Sequence, residues 1–119
     1  MAILSFNLLV IKSSDVDRLV AFYTSLGFKF DQHQHGVGPI HFSAVVGDVT
    51  FEIYPGTKSV SETTNVRFGF LTDNIDGLIR DVNQAGGKVL SEPVDSPSGL
   101  RAVIADPDGN KVEFSQSTN

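Results

Sequence analysis

The sequence predicts an α+β fold of two tandem βαβββ modules, because three features recur in the same order in its two halves. The first is an amphipathic helix, whose apolar residues are spaced i, i+3, i+4, i+7 and i+10. The second is a glycine that ends each helix, and the third is a late strand that carries a glutamate, Glu52 or Glu113. Two copies of one unit are expected to pack as a pseudo-symmetric pair with a cleft where their sheets meet. The two apolar series are Val16, Leu19, Val20, Tyr23 and Leu26, and Ile75, Leu78, Ile79, Val82 and Ala85.

The first module is predicted over residues 3–55. Residues 3–12 are an apolar run, which indicates a strand buried on both faces. Ser14 is the predicted N-cap of the helix, with Asp17 in the capping-box position, and Gly27 is its predicted C-terminal cap. Residues 28–32 indicate a more polar strand, and residues 35–39 a loop broken by glycine and proline. Residues 40–54 then form a hairpin that turns at Gly47 and Asp48.

The second module is predicted over residues 66–117 and repeats this order. It follows a linker at residues 56–65, whose serine, threonine, glycine and lysine content is typical of an exposed connection. A strand at 66–72 precedes the helix at 75–85, and a strand at 87–91 precedes a polar loop at 91–99. The last hairpin has strands at 101–105 and 111–115. The length of 119 residues predicts one domain, 1–119, for both modules.

Composition excludes several classes of function. The net charge of -5 and the scattered lysines and arginines argue against a nucleic-acid partner, which needs a clustered basic surface. With no cysteine, the chain has no disulfide, thiolate metal site or thiol nucleophile. No apolar run approaches the roughly 20 residues of a membrane span, and the first residues lack a secretory pattern. We therefore expect a cytoplasmic protein with no membrane partner.

Two segments resemble the vicinal-oxygen-chelate superfamily, which includes glyoxalase I, bleomycin-resistance proteins and extradiol dioxygenases. Residues 14–28, Ser-Asp-Val-Asp-Arg-Leu-Val-Ala-Phe-Tyr-Thr-Ser-Leu-Gly-Phe, are similar to the family's first helix and the strand after it. Residues 105–114, Ala-Asp-Pro-Asp-Gly-Asn-Lys-Val-Glu-Phe, are similar to its final hairpin. The resemblance implies a curved mixed sheet around a cleft, helices on the outer face, a small-molecule ligand and a homodimer. Many members also hold a divalent metal ion inside the sheet.

The family's metal positions, carried over one by one, fall on Leu8, Glu52, Arg67 and Glu113. Glu52 and Glu113 are suitable ligands, whereas Leu8 cannot bind a metal and Arg67 is a fixed cation that would repel one. Strand alternation places His41 on the same face as Glu52, opposite or diagonal to it. Glu52, Glu113 and His41 are therefore the candidate ligands of a divalent ion (Zn, Ni, Mn or Fe).

The other candidates would contact the ligand or carry the chemistry. Glu113 is the candidate catalytic base, and Arg67 either forms an internal salt bridge with it or binds a substrate carboxylate. Tyr54 shares the predicted face of Glu52, so it lines the pocket or packs at its rim. His35 begins the glycine-rich loop, from which it could reach the cleft mouth or remain solvated. His33 lies close by in the sequence and is a weaker candidate for the same two positions.

Three functions from different classes are consistent with these residues. One is a metal-dependent glyoxalase-like lyase or isomerase that acts on an oxygenated metabolite. The second is a metal-free protein, like the bleomycin-resistance members, that binds and sequesters a drug or metabolite; the acidic net charge would favour a cationic ligand. The third is a structural or regulatory module whose cleft has no ligand. The first requires at least three good metal ligands, and the second requires none.

Overall fold

The computed structural model describes residues 1–57 and 65–117, and in these ranges each half has one helix and four strands. In the first half these are β1 (Leu8–Ser13), α1 (Val16–Ser25), β2 (Asp31–His33), β3 (His41–Val46) and β4 (Val49–Pro55). In the second half they are β5 (Arg67–Leu71), α2 (Ile75–Gln84), β6 (Lys88–Ser96), β7 (Gly99–Ala105) and β8 (Lys111–Gln116). The predicted α+β fold with two tandem βαβββ modules is confirmed. Most of the predicted linker, residues 58–64, lies outside the described residues, and the module boundaries remain a prediction.

The two sheets have the same topology. Their strand orders are β1-β4-β3-β2 and β5-β8-β7-β6. The first strand of each module is parallel to the last, and the remaining neighbours are antiparallel. Each helix therefore connects an edge strand to the far edge of its own sheet and covers one sheet face. The opposite face of each sheet is left open, and it carries the glutamate of that module.

Asp15, not Ser14, caps the first helix. The Asp15 carboxylate accepts a hydrogen bond from the Arg18 backbone N–H at 3.1 Å, so the helix begins one residue later than predicted. Asn74 plays the same part in α2, where its side chain accepts from the Gly77 N–H at 3.0 Å. After each helix the chain turns through a glycine with positive φ, 107° at Gly27 and 96° at Gly86, which is a conformation that glycine adopts without strain.

A single apolar core joins the two modules. Phe51 of β4 is fully buried, and its ring lies 5.1 Å from that of Tyr23 on α1 and 5.6 Å from that of Phe70 on β5. A polar contact also joins the two modules, since Tyr23 donates a 2.6 Å hydrogen bond to Asp106 in the β7–β8 turn. The first helix thus packs against the second module as well as its own sheet, which fixes the two open faces relative to each other.

The observed strands differ from the predicted ones at three places. The first strand begins at Leu8 and is buried on one face, because a single helix covers it: Ile11 is buried whereas Leu8 and Val10 are exposed. The second strand is Asp31–His33, since Phe28 and Phe30 pack against the core before it begins. The predicted polar loop at 91–99 is mostly strand, because β6 continues to Ser96 beside β7 with two register shifts. Neither helix in the described ranges is long and apolar enough to cross a membrane.

Candidate functional site

The open face of the first sheet presents Glu52. In β4, Phe51 and Ile53 are fully buried towards the core, so alternation points Thr50, Glu52 and Tyr54 to the open face. Ser43 of β3 lies directly opposite Glu52 in the antiparallel register, and its hydroxyl donates a 2.5 Å hydrogen bond to Glu52 Oε2. His41 is two residues earlier in β3 and therefore diagonal to Glu52.

His41 is the buried polar side chain of this face, at 2% exposure. Its ring stacks on Tyr54 with centroids 4.1 Å apart and planes 7° from parallel. Nδ1 lies 3.2 Å from the Pro39 carbonyl oxygen, which can only accept, so Nδ1 carries the proton of the neutral ring. Nε2 is then an acceptor 3.8 Å from Glu52 Oε2, and it is buried without a hydrogen-bond partner in the described part of the chain. At 3.8 Å the two atoms do not form a hydrogen bond with each other.

The other two histidines extend the aromatic surface. The His35 ring centroid lies 5.2 Å from that of His41 and the His33 centroid 6.0 Å from it, with both rings tilted by no more than 35°. We call His33, His35, His41, Tyr54 and Glu52 the histidine group. His33 was the weakest of the three histidine candidates from the sequence, although the strand pairing His33–His41 brings it to the same face as His41. That signal was missed because the predicted strand stopped one residue short of it.

The open face of the second sheet presents Glu113 between two arginines. Glu113 Oε1 lies 3.8 Å from Arg67 Nε on β5 and 3.6 Å from Arg101 Nη1 on β7. Arg101 was not predicted as a site residue. The signal for it is the register of the last hairpin, in which Val103 is opposite Glu113, so that Arg101 lies on the same face two residues away. We call Arg67 and Arg101 the arginine pair.

The predicted metal ligands do not assemble within this chain. His41 and Glu52 are neighbours, but Glu113 lies on the other sheet with two guanidinium groups that would repel a cation. Stacked rings also prevent the histidines from converging, because each nitrogen lone pair lies in its own ring plane. Among residues 1–57 and 65–117, no three histidine, aspartate or glutamate side chains are grouped so as to hold a metal. Of the three proposed ligands, His41 and Glu52 are therefore the pair that the described chain brings together, so a divalent ion there would need further ligands.

A cavity of about 630 Å³ lies between β1 and β5; Arg67 of the arginine pair lines it, whereas no residue of the histidine group does. Val10, which is the register partner of Glu52, lines one wall, and Arg67 lines the other. The rest of the lining is apolar apart from backbone: Phe6, Leu8, Leu9, Val46, Val49, Val66, Phe68, Gly69, Phe70 and Leu71. The structure therefore combines an apolar cavity with one polar group on each of the two adjoining sheets.

Known proteins share both the sequence pattern and the fold. The model of the Glyoxalase/Bleomycin resistance protein/Dioxygenase superfamily matches residues 5–114. A hypothetical protein from S. aureus is 22% identical, with a TM-score of 0.78 over 96% of this chain and 94% of the other. TnmS3, an antibiotic binding protein from Streptomyces sp. CB03234, is 24% identical, with a TM-score of 0.77 over 99% of each chain. The bleomycin-binding protein from Streptomyces verticillus, solved with copper(II)-bleomycin, is 23% identical, with a TM-score of 0.67 over 98% of this chain and 99% of the other.

Proposed function

Because the chain belongs to the glyoxalase/bleomycin resistance protein/dioxygenase superfamily, we propose that it binds and sequesters a small organic molecule, without a resident metal ion. The cavity between β1 and β5 carries this proposal. Its volume of about 630 Å³ falls within the roughly 300–1,000 Å³ of sites that hold drug-sized ligands. Similar structures include proteins named for binding an antibiotic and bleomycin, which supports the same class of function.

Glu52 is the member of the histidine group nearest to this cavity, because it is the register partner of Val10. A ligand N–H or O–H that extends past Val10 would find an acceptor in the Glu52 carboxylate, whereas His41 Nε2 is buried and lies outside the cavity lining. A ligand with an apolar body and a hydrogen-bond donor fits this arrangement.

The binding proposal can be tested with N-phenyl-1-naphthylamine, a neutral apolar probe whose fluorescence rises on leaving water. We expect the protein to bind it, and Val10→Trp to weaken binding at least about tenfold, because the larger side chain fills the cavity. Val94→Trp is the matched control, since Val94 has similar exposure, 49% against 39%, but does not line the cavity. Equal loss in both variants, or no binding at all, would rule out this site.

A metal-dependent lyase or isomerase remains the second proposal. The unpartnered His41 Nε2 beside Glu52 favours it, since this pair could exchange a proton with a substrate. It has less support, because Glu113, the proposed catalytic base, contacts Arg67 and Arg101 on the other sheet. Elemental analysis of tag-free protein and of Glu113→Gln tests it. Near-stoichiometric Zn, Ni, Mn or Fe that is lost in the variant would favour the enzyme.

We also propose that the chain forms a homodimer through its exposed apolar side chains. Ile3, Leu4 and Phe6 precede β1, and Val45 lies on the open face of the first sheet; all four are exposed. Apolar patches of this kind mark protein contacts more often than free surface. Light scattering coupled to gel filtration should give twice the chain mass, and Leu4→Asp should shift the protein towards the monomer. A monomer at all concentrations would contradict the proposal.

A further inference from the structure

We propose that the ligand of the β1–β5 cavity is an amphipathic anion, in which an apolar or aromatic body carries one carboxylate, sulfonate or phosphate group held by Arg67. This inference rests on the proposed function, because it names the ligand class of the same cavity. It departs from the expectation drawn from the net charge of -5, which favoured a cation.

The first observation is the charge of the lining. Among the described residues that line the cavity, Arg67 carries the sole charged side chain, and the others are apolar or glycine. A ligand that fills this space therefore meets hydrocarbon on most sides and a guanidinium group on one side. Like-charge repulsion makes a cationic group unfavourable beside Arg67, whereas an anionic group there can form a charge-assisted hydrogen bond that offsets its desolvation.

The second observation is that the arginines are not saturated by their internal partner. Arg67 and Arg101 lie 3.8 Å and 3.6 Å from the same Glu113 oxygen, beyond the 2.7–3.2 Å of an N–H···O hydrogen bond. Their side chains are 53% and 44% exposed, so their planar N–H groups can turn towards a ligand. A guanidinium group suits a carboxylate, sulfonate or phosphate because it can donate two parallel hydrogen bonds.

The third observation is the local excess of positive charge. Lys111 is the register partner of Arg67 on β8, so a second cation lies beside Arg67 at this end of the open face. The β1 wall of the cavity has no positive charge. Leu8 and Val10 are apolar, and the neighbour of Val10 in the sheet is the carboxylate of Glu52. The charge distribution thus orients the ligand, with its anionic group at β5 and its apolar body at β1.

A matched pair of probes tests the inference. N-phenyl-1-naphthylamine is neutral, and 1-anilinonaphthalene-8-sulfonate has the same ring system with one sulfonate group. We expect the sulfonate to bind more tightly, and Arg67→Gln to weaken its binding about 3- to 10-fold while changing the affinity for the neutral probe by a clearly smaller factor. Arg80→Gln, an exposed position on α2 with the same change in charge, should alter neither affinity. Glu113→Gln should strengthen sulfonate binding, because it removes the competing carboxylate.

Each outcome separates this inference from the proposed function. If the neutral probe binds but the sulfonate binds no better, or if Arg67→Gln weakens both equally, the cavity is a binding site without anion preference and the inference is wrong. If Arg80→Gln weakens sulfonate binding as much as Arg67→Gln, the effect is one of net charge and the inference is also wrong. If neither probe binds to the folded protein, the proposed function itself fails and the inference fails with it. Near-ultraviolet circular dichroism confirms that each variant is folded.

Discussion

Tyr23 and Asp106 form a buried polar contact between the two modules. The Tyr23 hydroxyl donates to Asp106 Oδ2 at 2.6 Å, and the Asn110 side chain donates to the same oxygen at 2.9 Å. Asp106 Oδ1 accepts from the backbone N–H groups of Asp108 and Asn110. Burial raises the pKa of Tyr23 well above its ordinary value of 10.0, so the phenol remains a donor at physiological pH. The turn of the last hairpin is thus held by a residue of the first helix.

Tyr23→Phe should lower the free energy of unfolding by about 1–3 kcal/mol, because it leaves a buried carboxylate short of one donor without changing the packing. Urea denaturation measures the change. Tyr54→Phe makes the same chemical change on a half-buried ring and should cost clearly less. Equal costs in the two variants would mean that the Asp106 contact adds no stability of its own.

Asp106 should also give the protein a characteristic pH dependence. Burial raises the pKa of its carboxyl above the ordinary 3.8, and the hydrogen bonds from Tyr23 and Asn110 oppose that shift without cancelling it. The folded protein therefore keeps a proton on Asp106 at pH values where the unfolded chain has lost it. The resulting stabilisation is fully present below about pH 3.8 and is lost as the pH rises through the raised pKa.

Comparison with Asp106→Asn isolates this dependence from that of the other carboxylates. The free energy of unfolding of the wild type minus that of the variant should be larger at pH 4 than at pH 7, as measured by urea denaturation at both values. Asp48→Asn, at the exposed β3–β4 turn, is the control and should show no such trend. A larger difference at pH 7 would contradict the assigned direction of the Asp106 shift.

At the scale of the elements, both helices depend on an acceptor side chain at their first turn. Asp15→Ala should cost about 0.5–2 kcal/mol of stability, since it removes the acceptor for the Arg18 N–H. Ser14→Ala is the matched control and should change the stability by less than about 0.5 kcal/mol. Thermal or urea unfolding of the two variants measures both losses of stability. A larger loss in Ser14→Ala than in Asp15→Ala would mean that Ser14 is the N-cap, as the sequence predicted.

The alternation of apolar and polar residues predicted the faces of some strands correctly and missed one strand. Alternation alone oriented Glu52 and Glu113, because neighbours such as Phe51 and Phe114 are strongly apolar and the period of a strand is fixed. The pattern failed at β6, where Pro93 and several serines resemble a loop. That strand is the outer edge of its sheet and contains register shifts, and an edge strand tolerates proline because its outward N–H groups need no partner.

Side-chain partners across strands were harder to predict than strand faces. The shared face of His41 and Glu52 followed from the two-residue turn at Gly47 and Asp48, and the observed register of the β3–β4 hairpin shows that the two residues are diagonal. Arg101 needed the register of the β7–β8 hairpin, whose turn is longer, so sequence spacing did not indicate that it would contact Glu113. The distance of Glu113 from His41 and Glu52 was also beyond the sequence, because no local pattern gives the position of one sheet relative to the other.

For the whole molecule, the shared core determines which surfaces can bind a ligand. Tyr23, Phe51 and Phe70 pack both modules around one apolar centre, so the open faces and the edges of β1 and β5 remain accessible. The repeat in the sequence predicted the paired modules. It could not predict that two arginines would contact Glu113 on one sheet while three histidines gather on the other.

The central claim is that the β1–β5 cavity binds a small molecule without a metal ion. The most direct test is a fluorescence titration of EDTA-treated protein with N-phenyl-1-naphthylamine, repeated after addition of Zn, Ni, Mn or Fe. We predict that the dissociation constant stays the same within about twofold in every case. Binding that appears only after a metal is added, and that is lost again in Glu52→Gln, would contradict the claim and place a metal ion in the site.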